Sequence, residues 1–189
     1  MDMTEKQISS RFIFDGTVVH LYKDEVELSN GVRSTREYIR HIGAVCVLPL
    51  TDEGEVVLER QFRYPYGKVL VEIPAGKLDA RDEDPREAAA RELREETGAR
   101  ARELIPLGEY YGSPAILDER IHMFLARGLT FGERDLDEDE YLEVFRMPLD
   151  QAVEEVLSGN IPDGKTQVAI LRVAALLKKE KKYEYKTEL

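Results

Sequence analysis

The chain has 189 residues, a formal net charge of −11 and one cysteine. This length is typical of a single domain with its own core, and one cysteine excludes an intramolecular disulfide framework. The excess of negative charge argues against a nucleic acid or an anionic membrane as partner. We expect a cytoplasmic protein, because the apolar run at residues 42–50 is too short to span a bilayer and the N-terminus lacks a signal peptide's apolar core.

The first part of the chain, residues 12–40, is predicted to form short strands around a turn at residues 29–31. These strands carry too few apolar residues to form a core alone. We therefore expect residues 1–40 to be an N-terminal β extension of the domain formed by residues 41–189.

Stronger strand patterns follow from Gly43 onward. The segments GAVCVLPL and EVVLERQF flank a turn at residues 51–54, and their β-branched, alternating pattern predicts a hairpin. The segment VLVEIPAG predicts another short strand. Cys46 lies within the first apolar segment, which is typical of a buried hydrophobic side chain rather than a catalytic thiol.

Local signals then predict a helix. Asp84 is a suitable N-cap, Pro85 suits the first helical position, and Glu87 completes a capping-box pattern. Helix formers continue up to Gly98, which is a good C-terminal stop.

The remaining sequence predicts three more strands and two helices. The strands are 104–110, 120–126 and 142–147, the last preceded by an acidic loop at 134–140, and the helices are Leu149 to Leu157 and Lys165 to Lys182. The sequence therefore predicts an α/β fold with a mixed sheet between helices.

The first helix carries three carboxylates on one face. At about 100° per residue, Glu92, Glu95 and Glu96 fall within the same side of the helix. One interpretation is a solvated acidic face that is balanced by Arg91 and Arg94. The other is a site for a cation.

A loop before this helix favours the second interpretation. Residues 74–78 (PAGKL) contain a glycine and can bring backbone carbonyl oxygens towards the helix. Carboxylate and carbonyl oxygens are the ligands preferred by Mg²⁺ and Mn²⁺. The three histidines are dispersed along the sequence, so they indicate no zinc site.

The segment GKLDARDEDPREAAARELREETGA, residues 76–99, resembles the Nudix box. The match consists of Gly76, Glu83, the run Arg91-Glu92-Leu93, Glu95-Glu96 and Gly98. Two departures are present: six residues rather than five separate Gly76 from Glu83, and Ala99 replaces a larger apolar residue. The resemblance implies an α/β/α sandwich with a mixed sheet.

The surrounding sequence is similar to the ADP-ribose pyrophosphatase branch of this family over roughly residues 33–175. A marker of that branch is a proline 16 residues after the box glycine, and Pro114 lies 16 residues after Gly98. In that branch the N-terminal β segment joins two subunits, so the resemblance implies a homodimer in which residues 1–40 take part.

The resemblance also implies roles for individual residues. Metal ions, Mg²⁺ with Mn²⁺ as a possible substitute, would be held by Glu92, Glu96 and the carbonyl oxygen of Ala75, with Glu95 in support. The residues implied in substrate binding are Arg36 and Glu37 on the adenine and ribose side, Arg63 at the diphosphate, Glu119 at the terminal ribose, and Pro114. For Arg36 and Arg63, ordinary surface charges are the alternative.

In this branch the general base lies on an acidic loop after the box. The run DEDE at 137–140 matches that loop, with Glu138 as the implied base and Glu140 as a further ligand or substitute base. A solvated acidic loop is the alternative interpretation.

The implied reaction is Mg²⁺-dependent hydrolysis of ADP-ribose to AMP and ribose 5-phosphate. One alternative is a pyrophosphatase for another nucleoside diphosphate sugar such as GDP-mannose. A different class is a non-catalytic Nudix regulator that binds ADP-ribose.

Overall fold

The computed structural model describes residues 2–136 and 141–187, with side chains described as far as Glu180. Its contacts divide the chain into two compact units. The first unit contains the residues up to Gly43 together with Tyr111–Arg120, and the second contains Ala44–Tyr110 and the residues from Ile121 onward.

The first unit is built on an antiparallel sheet of three strands in the order β1-β2-β3. The strands are β1 (Glu5–Asp15), β2 (His20–Leu28) and β3 (Arg33–Arg40). The predicted turn at residues 29–31 lies between β2 and β3, where the Gly31 φ of 81° suits glycine. Every residue of β1 is exposed.

The second unit contains the remaining elements. Its strands are β4 (Ala44–Pro49), β5 (Glu55–Arg63), β6 (Lys68–Glu72), β7 (Ala75–Lys77), β8 (Ala99–Tyr110), β9 (Ile121–Phe131) and β10 (Leu142–Pro148). Its helices are α1 (Pro85–Thr97), α2 (Leu149–Leu157) and α3 (Gly164–Thr187), and a short 3-10 helix spans Tyr64–Tyr66. The limits of α2 and both ends of α1 agree with the sequence prediction.

The predicted hairpin of β4 and β5 is wrong, because the two strands belong to different sheets. The order of one sheet is β7-β4-β9-β8, with β4 parallel to β9, and that of the other is β10-β5-β6. Only one isolated bridge, Leu50 to Val56, joins the segments across the turn. All six residues of β4 are buried, as expected for a central strand covered on both faces.

The main core lies between β4, β9 and the helices α2 and α3. It includes the alternate residues Cys46 and Leu48 of β4, Met123 of β9, and Ile170 of α3. Helix α1 contacts β4, β7 and β8. The result is the predicted α/β/α arrangement with a mixed sheet. No helix among the described residues has the length and apolar character needed to cross a membrane.

Candidate active site

Helix α1 has the start and the end that its sequence predicts. The Asp84 side chain accepts a hydrogen bond from the backbone N–H of Arg86, and Pro85 occupies the first turn. Gly98 ends the helix with φ 70° and donates its N–H to the Arg94 carbonyl. These caps fix the two ends of α1.

Two glutamates of α1, Glu92 and Glu96, are 8% and 2% exposed and lie against β7. One carboxylate oxygen of Glu96 (Oε2) accepts the backbone N–H of Ala75 at 2.9 Å. The Glu92 carboxylate lies beside Gly76, where an added Cβ would be 2.1 Å from its Cδ and Oε1. Any larger residue at position 76 would therefore displace this carboxylate.

The third glutamate, Glu95, has a different environment. Its carboxylate contacts Arg94 Nη2 at 2.7 Å and Arg91 Nη1 at 3.3 Å. Arg91 Nη1 also donates to Glu92 Oε1 at 2.7 Å. Burial opposes the charge of Arg91, but Glu92 and neighbouring carboxylates outweigh it and raise the Arg91 pKa. The charges of Glu92 and Glu95 are thus balanced by arginines, as the first interpretation of the sequence expected.

The extra residue between Gly76 and Glu83 does not separate Glu83 from the helix. Glu83 Oε2 accepts the backbone N–H of Asp79 at 2.6 Å, and its Oε1 lies 3.4 Å from Arg91 Nη2. Arg91 also donates to the Lys77 carbonyl at 3.3 Å. Arg91 therefore connects the loop to the glutamates of α1.

Arg63, at the end of β5, makes a bidentate ion pair within the same unit. Its Nε and Nη2 donate to the two carboxylate oxygens of Glu72 at 2.6 and 2.8 Å. Lys165 of α3 donates to the same carboxylate. The sequence pattern indicated Arg63 but neither Glu72 nor Lys165. A charged residue within the apolar run VLVEI was the available signal for Glu72.

The segment that leads into the acidic loop is bound to the end of α1. Gly132 donates its N–H to the Gly98 carbonyl at 2.8 Å, and Asp135 donates its N–H to the Glu95 carbonyl at 3.0 Å. The predicted base Glu138 and its neighbour Glu140 lie outside the described residues.

Two other predicted residues, Arg36 and Glu37, belong to β3 in the first unit. Arg36 forms an ion pair with Glu5 of β1, and Glu37 accepts from Lys23 of β2 at 2.7 Å. Because successive strand residues point to opposite faces, Arg36 and Glu37 lie on different faces of this sheet.

Pro114 and Glu119 lie in the Tyr111–Arg120 segment of the first unit. Pro114 is exposed within a turn. Glu119 Oε1 lies 3.4 Å from His41 Nδ1, and both side chains are largely buried. The backbone N–H of His41 also donates to Asp118 at 2.6 Å, so this segment is held to the residues that follow β3.

The donors around α1 and β7 suit a hard divalent cation. They are the carboxylates of Glu92 and Glu96 and the backbone of Ala75, all oxygen-bearing groups of the kind that Mg²⁺ binds. Within residues 2–136 and 141–180, no three Asp, Glu, His or Cys side chains come close enough to hold an ion by themselves. A cation here would therefore need a further ligand, which could be a backbone oxygen, water, substrate or a side chain outside the described residues.

Comparison with known proteins identifies the family. The model of the NUDIX domain matches residues 40–167, more than half of the chain. The chain belongs to the Nudix family, which confirms the resemblance seen in the sequence.

Three relatives with known names match nearly the whole chain. An ADP-ribose pyrophosphatase of Bacillus subtilis (strain 168) is 46% identical over 89% of this chain and 91% of its own length. A methanol dehydrogenase activator of Bacillus methanolicus is 45% identical over 88% and 90%. A GDP-mannose pyrophosphatase of Pectobacterium atrosepticum is 36% identical over 91% and 95%.

The fold also matches a solved structure. The crystal structure of an ADP compounds hydrolase superposes with a TM-score of 0.83 and covers 95% of this chain and 98% of its own. The two sequences are 23% identical, so this likeness supports the fold alone.

Proposed function

We propose that the protein hydrolyses the diphosphate linkage of ADP-ribose to AMP and ribose 5-phosphate, with Mg²⁺ as cofactor. The observation that carries this proposal is the close approach of β7 to α1, where Gly76 leaves room for the Glu92 carboxylate and Ala75 donates to Glu96. The name of the 46% identical relative supports the choice of substrate.

The metal ligands that we propose are Glu92, Glu96 and the Ala75 carbonyl oxygen, with Glu95 in support. When bound, Mg²⁺, or Mn²⁺ in its place, would offset the negative charge of the diphosphate and lower the pKa of a water. Arg91 holds Glu92 and Glu95 by hydrogen bonds, so it keeps two of these carboxylates oriented.

Arg63 is the proposed diphosphate ligand of the chain. Its Nε and Nη2 are used by Glu72, and Nη1 donates no hydrogen bond within the described part of the chain. The edge formed by Nη1 and Nη2 therefore remains available for phosphate oxygens, which suit the planar guanidinium.

We assign the general base to Glu138, with Glu140 as a further ligand or substitute base. The base takes a proton from the attacking water as the water oxygen bonds to phosphorus and the bond to the bridging oxygen breaks. Support comes from the preceding residues, since hydrogen bonds from Gly132 and Asp135 attach them to the C-terminal end of α1.

A cytoplasmic homodimer is part of the proposal, with residues 1–40 as the extension that joins the subunits. Support comes from β1, which is exposed throughout and carries Phe12 and Phe14 at 47% and 56% exposure. An exposed edge strand with large apolar side chains favours pairing with another chain.

Four residues of the first unit are also proposed to bind substrate. They are Arg36 and Glu37 for the adenine and ribose side, Glu119 for the terminal ribose, and Pro114. Because Arg36 and Glu37 lie on opposite faces of the sheet, we expect them to contact different parts of the proposed homodimer.

The test is a product assay with ADP-ribose, GDP-mannose and an EDTA control. We expect AMP from ADP-ribose only when Mg²⁺ is present. Glu96→Gln should abolish this turnover while retaining the fold, whereas Glu87→Gln, an exposed change on the same helix, should leave it intact. GMP from GDP-mannose without AMP from ADP-ribose would favour the alternative substrate. Tight binding of ADP-ribose without any turnover would favour the regulator.

A further inference from the structure

A group of charged side chains joins the start of α3 to the ends of β5 and β6. This group, which we call the Glu72 cluster, consists of Arg63, Glu72, Asp163 and Lys165. Its members come from three separate stretches of sequence.

Glu72 is the centre of the cluster and is 1% exposed. Burial by itself would raise its pKa, but hydrogen bonds from Arg63 and the charge of Lys165 outweigh burial and lower the pKa to about 2. The carboxylate is therefore ionised at neutral pH and fully engaged with two cations.

Lys165 is fixed by the first turn of α3. Its Nζ donates to Glu72 and lies 3.1 Å from Asp163 Oδ2. The same oxygen of Asp163 accepts the backbone N–H of Thr166 at 3.0 Å and its hydroxyl at 2.6 Å. Thr166 Oγ1 in turn accepts the backbone N–H of Ile73 at 3.0 Å. Lys165 is thus attached to the helix start and, through Glu72, to β6.

Exposure differs between the two cations that share Glu72. The Lys165 side chain is 11% exposed, and the Arg63 side chain is 37% exposed. Lys165 is therefore turned inward to its two carboxylates, whereas Arg63 can also meet a ligand from solvent.

We propose that Lys165 is a positioning residue that holds Arg63, through Glu72, in the orientation that binds a diphosphate. This inference rests on the proposed function. Lys165 fixes the Glu72 carboxylate, and that carboxylate fixes the Arg63 guanidinium through two parallel hydrogen bonds. A guanidinium held in this way loses less conformational freedom when the substrate binds.

The experiment is a double-mutant cycle of Lys165→Met and Arg63→Ala, measured by kcat and KM for ADP-ribose. Lys165→Met should raise KM about tenfold, the effect expected when one charge-assisted hydrogen bond is lost, and change kcat less than threefold. If Lys165 acts through Arg63, the double variant should be no worse than Arg63→Ala. Lys178→Met, an exposed change on the same helix, is the control for the lost charge.

Two results would overturn the inference. One is an unchanged KM in Lys165→Met with reduced resistance to urea, which would make the lysine purely structural. The other is additive losses in the cycle, which would show that Lys165 and Arg63 act independently. If Lys165→Met does not fold, Lys165→Gln, which removes the charge but keeps a donor for Glu72, takes its place in the same cycle, and a smaller rise in KM is expected.

Failure of the proposed substrate is recognised separately. If wild type hydrolyses GDP-mannose but not ADP-ribose, the substrate assignment is wrong, and the cycle measured with GDP-mannose still decides the role of Lys165. If wild type hydrolyses neither compound, both proposals are wrong.

Discussion

Replacing Gly76 with alanine should disrupt the carboxylate pair of α1. The added Cβ would lie 2.1 Å from the Glu92 Cδ, whereas carbon atoms in contact are about 3.5–4.0 Å apart. The carboxylate must therefore move by about 1.4 Å or more. Misplacing a catalytic group by about 1 Å costs on the order of 10²-fold in rate, so we expect Gly76→Ala to lose at least that factor in kcat.

The assay is the initial rate of AMP formation at saturating ADP-ribose and Mg²⁺, with urea unfolding measured on the same samples. Because the displaced atoms are the end of the flexible Glu92 side chain, stability should change by less than the roughly 1–3 kcal/mol of core overpacking, which leaves the loss of rate as the larger effect. Gly132→Ala is the matched control, since its Cβ would meet only the Gly98 carbonyl oxygen at an ordinary 3.8 Å. A Gly76→Ala enzyme with a rate within threefold of wild type would refute the claim that Glu92 must stay where it lies.

Four further predictions address stability and reactivity. Gly98→Ala should lower the free energy of unfolding by about 2 kcal/mol or more, because the new Cβ would lie 2.3 Å from the Gly132 carbonyl oxygen and the φ of 70° disfavours alanine; an unchanged urea midpoint would contradict this. Burial alone would raise the Glu72 pKa, but its two cations lower it from 4.5 to about 2. The ionised Glu72 should therefore contribute about 3 kcal/mol to the free energy of unfolding, in full above pH 4.5 and progressively less as the pH falls towards 2. Urea titrations across this range should show the loss in wild type and a flatter profile in Glu72→Gln. Burial raises the pKa of Cys46 to about 12, and the thiol should therefore react with a disulfide reagent only after unfolding; rapid labelling of the folded protein would show that the residue is accessible. Mg²⁺ should raise the Tm of wild type relative to EDTA but not that of Glu96→Gln, and equal shifts in both proteins would place the metal elsewhere.

Local signals were sufficient for α1 and α2, whereas α3 continues to Thr187, beyond its predicted end at Lys182. The Asp84 cap, Pro85 and Gly98 act over a few residues, so the sequence contains all the information that sets the ends of α1. Strand pairing is different, because β4 has its partners at β7 and β9, far along the chain. The turn at residues 51–54 resembles a hairpin turn. The strand β4 nevertheless pairs with β7 and β9, in a central position where both of its faces are buried.

The same distinction applies to the candidate site. Helical spacing brings Glu92 and Glu96 to one face, and this much follows from the sequence. That Gly76 must be a glycine follows only from the approach of β7, since the residue is 16 positions from Glu92 in the chain. The contact between Lys165 and Glu72 spans 93 positions, and no local pattern could predict it.

The buried carboxylates give the site its physical character. Glu59, Glu72, Glu92 and Glu96 are each at most 8% exposed, although burying a charge is costly unless it is compensated. At Glu72 the compensation comes from Arg63 and Lys165, and at Glu92 it comes from Arg91. Hydrophobic residues in these positions would stabilise the fold at lower cost, so stability does not explain the acidic face of α1. The proposed cation site would account for it, because a divalent ion would supply positive charge to the Glu92 and Glu96 carboxylates where β7 approaches α1.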